Sequence, residues 1–330
     1  MSSLKELRKL ENGLYYVDCL NGYKFIFDSQ DGSWIISNYL PSENEIRNYL
    51  PNMKSESYID VRDIVLNTTN KCNLACKYCY VGEHNEKNLT YEMGKKIIDK
   101  LIQLYGKRDK PIEICLHGSE PLENWDVLEK LILYGEEKNK IYNKKIVKFG
   151  LQTNATQIDE ERAKFLKDHD VGVGVSLDGP EKFHNLTRHY RNGQGSFEDV
   201  INGIKILNKF YGKVNALCVV SKYNVNQLDE VYEWFKNCGY FEKVRFLFVH
   251  PDKYGRKKEY LPDIKTLLSK YIPIFVEELE RVSEGKNYFL NNVETRIINF
   301  ILPKVKPICG RCANTFIQPA IYLDLDCKGV

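Results

Sequence analysis

Three cysteines, Cys72, Cys76 and Cys79, stand close together in the segment Thr68-Thr69-Asn70-Lys71-Cys72-Asn73-Leu74-Ala75-Cys76-Lys77-Tyr78-Cys79-Tyr80. The C-x₃-C-x₂-C spacing can turn three thiolates inward around one metal centre. A structural zinc normally recruits a fourth protein ligand. A four-iron cluster held by three thiolates instead leaves one iron open to a cofactor or substrate. For the bare triplet, a zinc knuckle is the competing assignment. A second group, Cys309, Cys312 and Cys327, lies near the C-terminus. The remaining four, Cys19, Cys115, Cys218 and Cys238, sit in strand or helix patterns where a thiol packs as a small apolar group.

Composition narrows what those thiols can be. Ten cysteines in 330 residues are too dilute for a disulfide scaffold, which takes roughly 8–10%. The opening MSSLKELRKLENG has no apolar core after its charged start, so no secretory signal is read there. No apolar run approaches the ~20 residues that span a bilayer. A cytoplasmic protein without a membrane partner is expected, its thiols kept for packing, metal binding or reactivity. Lys and Arg number 48 against 45 Asp and Glu, a net +3. That near balance argues against nucleic acid as a partner, because phosphate-backbone binding needs a clear basic excess.

Folded elements must position these residues. Residues 1–58 read as a small β-rich module, with strand patterns over 14–20, 23–29 and 34–40. Asn21-Gly22 and Asp31-Gly32 between them favour tight hairpin turns. Ser42 with Glu45 makes a capping box for a short helix. Over 59–250, apolar strands at 63–67, 112–116, 146–152, 171–177, 214–220 and 244–249 alternate with amphipathic helices at 90–105, 122–134, 160–168, 196–210 and 228–238. This alternation predicts an α/β fold, a parallel sheet with helices outside, and six units suggest a partial (β/α)6 barrel. Chemistry in such folds gathers at the C-terminal ends of the strands, and the cysteine triplet follows the first one. Residues 251–302 read as a helical bridge, with helices over 262–281 and 293–301, the first kinked at Pro273. Residues 303–330 form a cysteine-containing extension.

With Tyr78 before its third cysteine, the triplet resembles the radical SAM superfamily, whose cluster motif is C-x₃-C-x-aromatic-C. His117-Gly118-Ser119-Glu120-Pro121, after the second strand, is similar to the family's Gly-Gly-Glu-Pro segment and departs from it at His117 and Ser119. Gln152-Thr153-Asn154 ends the third strand and Ser176-Leu177-Asp178-Gly179-Pro180 the fourth, both as in relatives. The resemblance implies a [4Fe-4S] cluster on Cys72, Cys76 and Cys79 and S-adenosyl-L-methionine on its open iron. It also implies cofactor contacts from Tyr78, Gly118, Ser119, Glu120, Asn154, Ser176, Asp178 and Arg188. Glu120 suits the amino group, and Ser176 and Asp178 the ribose or amino group. Arg188 suits the methionine carboxylate, or a structural place over the cofactor with His184 on the same polar face of a helical turn.

The run from Ser176 through His184, Arg188 and Gly193-Gln194-Gly195-Ser196-Phe197 is similar to a peptide- and protein-modifying branch. That branch includes anaerobic sulfatase-maturating enzymes and thioether-forming peptide maturases. Cys309-Gly310-Arg311-Cys312 and Asp326-Cys327-Lys328-Gly329 resemble the start of a SPASM-type region, incomplete as it stands. Auxiliary clusters on Cys309, Cys312 and Cys327 are therefore expected, with a zinc ribbon or unligated thiols as the alternative. The resemblance implies an oxidoreductase that cleaves S-adenosylmethionine to a 5′-deoxyadenosyl radical. That radical would take hydrogen from a ribosomally made precursor peptide, installing a thioether or carbon–carbon cross-link. A flavodoxin- or ferredoxin-type donor is the implied source of electrons. Asp252, just beyond the sixth strand, is the candidate for proton removal. Residues 1–58 are then a partial leader-peptide-binding element, or an extension closing the side of the barrel. Enzymes acting on a protein side chain or a small molecule would share the core motifs. The alternative of another class is a noncatalytic iron–sulfur electron carrier or peptide-binding scaffold.

Overall fold

The structure is a computed structural model that describes residues 8–18, 24–28, 34–49, 63–79, 81, 87–107, 111–249, 257–283, 286–287, 289–290 and 320–323. The chain divides into two units, residues 1–61 with 292–319 and residues 62–291 with 320–330.

In the first unit, β1 (Arg8–Lys9), β2 (Leu14–Asp18), β3 (Lys24–Asp28) and β4 (Trp34–Ser37) form an antiparallel meander, followed by α1 (Glu43–Tyr49). β2 pairs with β3 from Leu14 opposite Asp28 to Asp18 opposite Lys24. The strand period puts Leu14, Tyr16 and Ile26 in one cluster with Ile46 of α1. The capping box forms as read: Glu45 N–H donates to Ser42 Oγ at 3.4 Å, and Ser42 N–H donates back to Glu45 Oε2 at 2.8 Å. β1 was not legible, because two charged residues carry no alternation.

The second unit is built on β5 (Asp63–Asn67), β6 (Ile112–His117), β7 (Val147–Thr153), β8 (Gly172–Ser176), β9 (Val214–Val220), β10 (Phe241–Phe248) and β11 (Ala320–Leu323). Their order is β10-β9-β8-β7-β6-β5-β11, and every neighbouring pair is parallel. Helices α2 (Tyr91–Tyr105), α3 (Trp125–Ile141), α4 (Glu160–Asp168), α6 (Phe197–Tyr211) and α7 (Leu228–Asn237) connect successive strands, and α8 (Ile264–Ser283) follows β10. A short α5 (Glu181–Thr187) precedes α6. β11 lies within 303–330, where four apolar residues are too short a run to stand out as a strand.

Burial alternates along β5 to β9 and identifies the two faces of the sheet. Ile64 and Leu66, Ile112, Ile114 and Leu116, and Val147, Phe149 and Leu151 are buried. So are apolar stripes of the helices, such as Ile98, Leu101 and Ile102 of α2 and Leu128, Leu131 and Ile132 of α3. The alternate positions Cys115, His117, Gln152, Ser176 and Leu217 are only half-buried. A parallel sheet covered on both faces would bury both sets, so this second face is the open, concave side of the partial barrel.

Several boundaries shift from the sequence reading, and two of the differences bear on packing near the site. The helix placed at 122–134 starts as a tight 3₁₀ turn, Pro121–Asn124, and continues as α3 to Ile141. Gly135 does not end it: a Cβ there would lie 2.4 Å from the Phe149 ring, so the glycine serves close packing on β7. His184 and Arg188 do not share a helical face, because α5 ends at Thr187 and Arg188 is extended (φ −108, ψ 101).

Candidate cluster and cofactor site

The loop carrying Cys72, Cys76 and Cys79 leaves the C-terminal end of β5 and is held at three places. At its root, Thr68 N–H donates to His117 O (2.8 Å), Ser119 N–H to Thr69 O (2.9 Å) and Glu120 N–H to Lys71 O (2.9 Å). This seam depends on Gly118, whose φ is +134 and where a Cβ would stand 2.5 Å from Thr69 O. At its tip, Asn154 Nδ2–H donates to Asn73 Oδ1 (2.9 Å), and Asn73 Nδ2–H donates to Thr156 Oγ1 (2.8 Å). Along its far side, Ala75 N–H donates to His189 O (2.7 Å) and Lys77 N–H to Thr187 O (3.0 Å). Arg191 reaches Cys72 O at 3.3 Å. The ends of β6 and β7 and the end of α5 with the segment after it thus meet on one loop.

The three cysteines are half-buried and outside any disulfide. Burial pushes Cys72 up to about 12 against a hydrogen bond from Leu74 N–H, and pushes Cys76 up to about 11 against the Arg188 charge. Among the described residues, no three His, Cys, Asp or Glu side chains close to single-ion distance. Three thiols within electrostatic reach of one another are a donor set that a four-iron cluster takes. Iron would draw off their protons and reverse the effect of burial.

Glu120 is 1% exposed. It accepts from Thr153 Oγ1 at 2.6 Å, Asn154 N–H at 2.7 Å and Leu122 N–H at 3.2 Å. Burial outweighs these donors and raises its carboxyl to about 7. A buried carboxyl that still favours its proton suits an incoming ammonium, which would restore the charge. Nearby, at the end of β5, Asn67 Oδ1 is buried without a hydrogen-bond partner, an acceptor for a bound molecule in register with His117.

Asp178, also 1% exposed, is committed to the chain itself. Val219 N–H donates to Oδ1 (3.0 Å) and Thr187 Oγ1 to Oδ2 (2.8 Å), while the Tyr78 hydroxyl also donates to Oδ2. Arg188 Nε lies 3.2 Å from Oδ1. Burial alone would raise this carboxyl, but the Arg188 guanidinium and these donors hold it below the usual carboxylate range. With its acceptor sites filled, Asp178 fixes Tyr78 and Arg188 beside the loop, where the sequence had offered it to the cofactor. His184 is a buried strut: its Nδ1 accepts from Asp178 N–H (3.3 Å) and its Nε2 pairs with Ser196 Oγ (3.0 Å). Ser176 accepts from Gln152 Nε2 at 3.0 Å on the concave face.

Tyr78, Gly118, Ser119, Glu120, Asn154, Asp178 and Arg188 are thus gathered around the three thiols, and Ser176 lies on the adjoining wall. Thr153, Asn73 and Thr187 join them unannounced, because each acts by a contact with a residue remote or unremarkable in sequence. Cys218 packs fully buried, whereas Cys115 and Cys238 are half-buried. Asp252, Cys19, Cys309, Cys312 and Cys327 lie outside the described residues. No helix among the described residues is long and apolar enough to cross a membrane.

Residues 66–235, just over half of the chain, match the radical SAM superfamily. An uncharacterized protein of Methanocaldococcus jannaschii is 32% identical over 72% of this chain and 82% of its own length. A cysteine-type anaerobic sulfatase-maturating enzyme of Clostridium novyi is 29% identical over 64% of this chain, which spans only 58% of that enzyme. The radical SAM cyclopropyl synthase TigE of Paramaledivibacter caminithermalis is 22% identical over 98% of this chain and 72% of its own. Among solved structures, anSMEcpe with bound AdoMet superposes with a TM-score of 0.60 at 25% identity, covering 73% of this chain and 67% of that one. SuiB of Streptococcus suis, bound to its precursor peptide SuiA, shares the fold at 13% identity and a TM-score of 0.53, covering 86% and 72%. A [4Fe-4S] cluster and S-adenosylmethionine are the cofactors of this superfamily, and the thiol triplet, the Gly118–Glu120 turn and the partial barrel have the composition they require. The chain is an enzyme of the radical SAM superfamily, related to sulfatase maturases and to peptide maturases.

Proposed function

We propose that this enzyme takes hydrogen from a ribosomally made peptide and installs a thioether or carbon–carbon cross-link. The observation that carries the reading is the convergence of the ends of β6 and β7 and of the segment around the end of α5 on the cysteine loop, beside an open concave face. The cluster and S-adenosylmethionine, when bound, supply a 5′-deoxyadenosyl radical able to remove hydrogen from carbon. Cys72, Cys76 and Cys79 would hold the cluster, and Glu120 would receive the methionine ammonium. Asn154 holds both Glu120 and the loop tip, so it fixes the distance between those two anchors. The half-buried face with Gln152, Ser176 and Leu217 gives a peptide room to lie against the site. Exclusion of water and alignment of one C–H bond are then the protein's main work. anSMEcpe, 26% identical, has also been solved with a bound peptide, which supports this substrate class.

A second reading, oxidation of a protein side chain, is favoured by 29% identity to the Clostridium novyi enzyme. Electrons would come from a flavodoxin- or ferredoxin-type donor in either case. Auxiliary clusters on Cys309, Cys312 and Cys327, and proton removal by Asp252, belong to the same proposal. The test is anaerobic reaction of the reconstituted enzyme with the peptide encoded beside its gene. A product that has lost hydrogen and resists proteolysis between the joined residues is expected. Hydrogen loss without a link would favour side-chain oxidation. Peptides of unchanged mass, in reactions that still form 5′-deoxyadenosine, would overturn both readings.

A further inference from the structure

Arg188 was a candidate for the methionine carboxylate, yet its guanidinium is already engaged. Nε lies 3.2 Å from Asp178 Oδ1 and Nη1 lies 3.9 Å from Cys76 Sγ. The guanidinium carbon stands 5.4 Å from the centre of the Tyr78 ring. Arg188 is only 8% exposed. A permanent cation is therefore held out of water against one of the three thiols. Asp178 pairs with the same guanidinium and shares its charge with Tyr78, Thr187 and Val219 N–H, while Arg188 Nη1 is the group that reaches the sulfur.

We propose that Arg188 sets the reduction potential of the cluster through Cys76. The inference rests on the reading of Cys72, Cys76 and Cys79 as the cluster site. Reduction adds one electron to the cluster, and a fixed positive charge nearby stabilises the more negative state. In a buried site the attraction is screened far less than in water. Net charge and hydrogen bonds to the sulfurs are the levers that place iron–sulfur potentials. Arg188 supplies both at a single ligand, and Asp178 with Tyr78 holds it there. Its role is to position charge. It makes the cluster easier to reduce and, by the same amount, less strongly reducing.

The test is a redox titration of the reconstituted enzyme with dithionite, followed by the electron paramagnetic resonance of the reduced cluster. S-adenosylmethionine is left out, so a role confined to the methionine carboxylate cannot move the result. Iron and sulfide per chain are measured first; a wild type that binds no cluster fails the underlying reading and not this one. Arg188→Gln is expected to shift the midpoint to more negative potential, and Arg188→Lys to stay near wild type. Asp178→Asn/Arg188→Gln, which leaves no stranded carboxylate, is expected to shift in the same direction by less. A wild-type midpoint in either Gln-containing variant overturns the proposal. So does failure of both to assemble a cluster that Arg188→Lys assembles, which would make Arg188 only a strut of the loop.

Discussion

Glu120 carries opposing demands, since it caps the turn after β6 through Leu122 N–H while burial raises its carboxyl to about 7 from an ordinary 4.5. Between those values the unfolded chain has released the proton and the folded chain still holds it. Stability of the cofactor-free protein should therefore fall as pH rises through that window, by on the order of 3 kcal/mol at most. Glu120→Gln should flatten this slope, and urea unfolding at about pH 5 and about pH 8 measures it. Gly118→Ala should cost more than about 1 kcal/mol, because a positive φ and a carbonyl contact are both violated. It should also lower iron retention, since Thr69 O belongs to the root of the loop. The thiol triplet and Glu120 could be read in the sequence because spacing alone marks them. Thr153 and Asn73 could not, because their partners lie 33 and 81 residues away.

The cysteine loop has no regular structure of its own, and its shape is borrowed from the elements around it. The segment after α5 contributes most, through Thr187 O and His189 O, with Asp178 tying Tyr78 of the loop to Arg188. Asp178→Ala should strand the Arg188 charge and destabilise the protein by about 3–5 kcal/mol, as breaking a buried pair does. Asn154→Ala removes the tip anchor, at a cost of about 1 kcal/mol; equilibrium denaturation separates the two. The six β-α units were legible because buried strands and amphipathic helices differ in period. α5 was not, being seven residues with a buried polar histidine in place of an apolar stripe. Nor was β11, whose pairing with β5 is made across more than 250 residues of chain.

Across the whole molecule, an α/β sheet presents one well-buried face to its helices and one half-open face to a substrate, with the cysteine loop at the strand ends. Fold and cofactor class were both carried by the sequence, because the β-α rhythm and the triplet spacing are local patterns. The chemistry finally performed depends on how a substrate meets the concave face, which no local pattern encodes. The most direct measurement of the central claim is 5′-deoxyadenosine formed from S-adenosylmethionine by anaerobically reconstituted protein under dithionite. Wild type should form it, and Cys72→Ala, Cys76→Ala and Cys79→Ala should each lose it to background. Equal yields from wild type and any of these variants, or none from an iron-loaded wild type, would contradict the assignment of this loop as the catalytic cluster site.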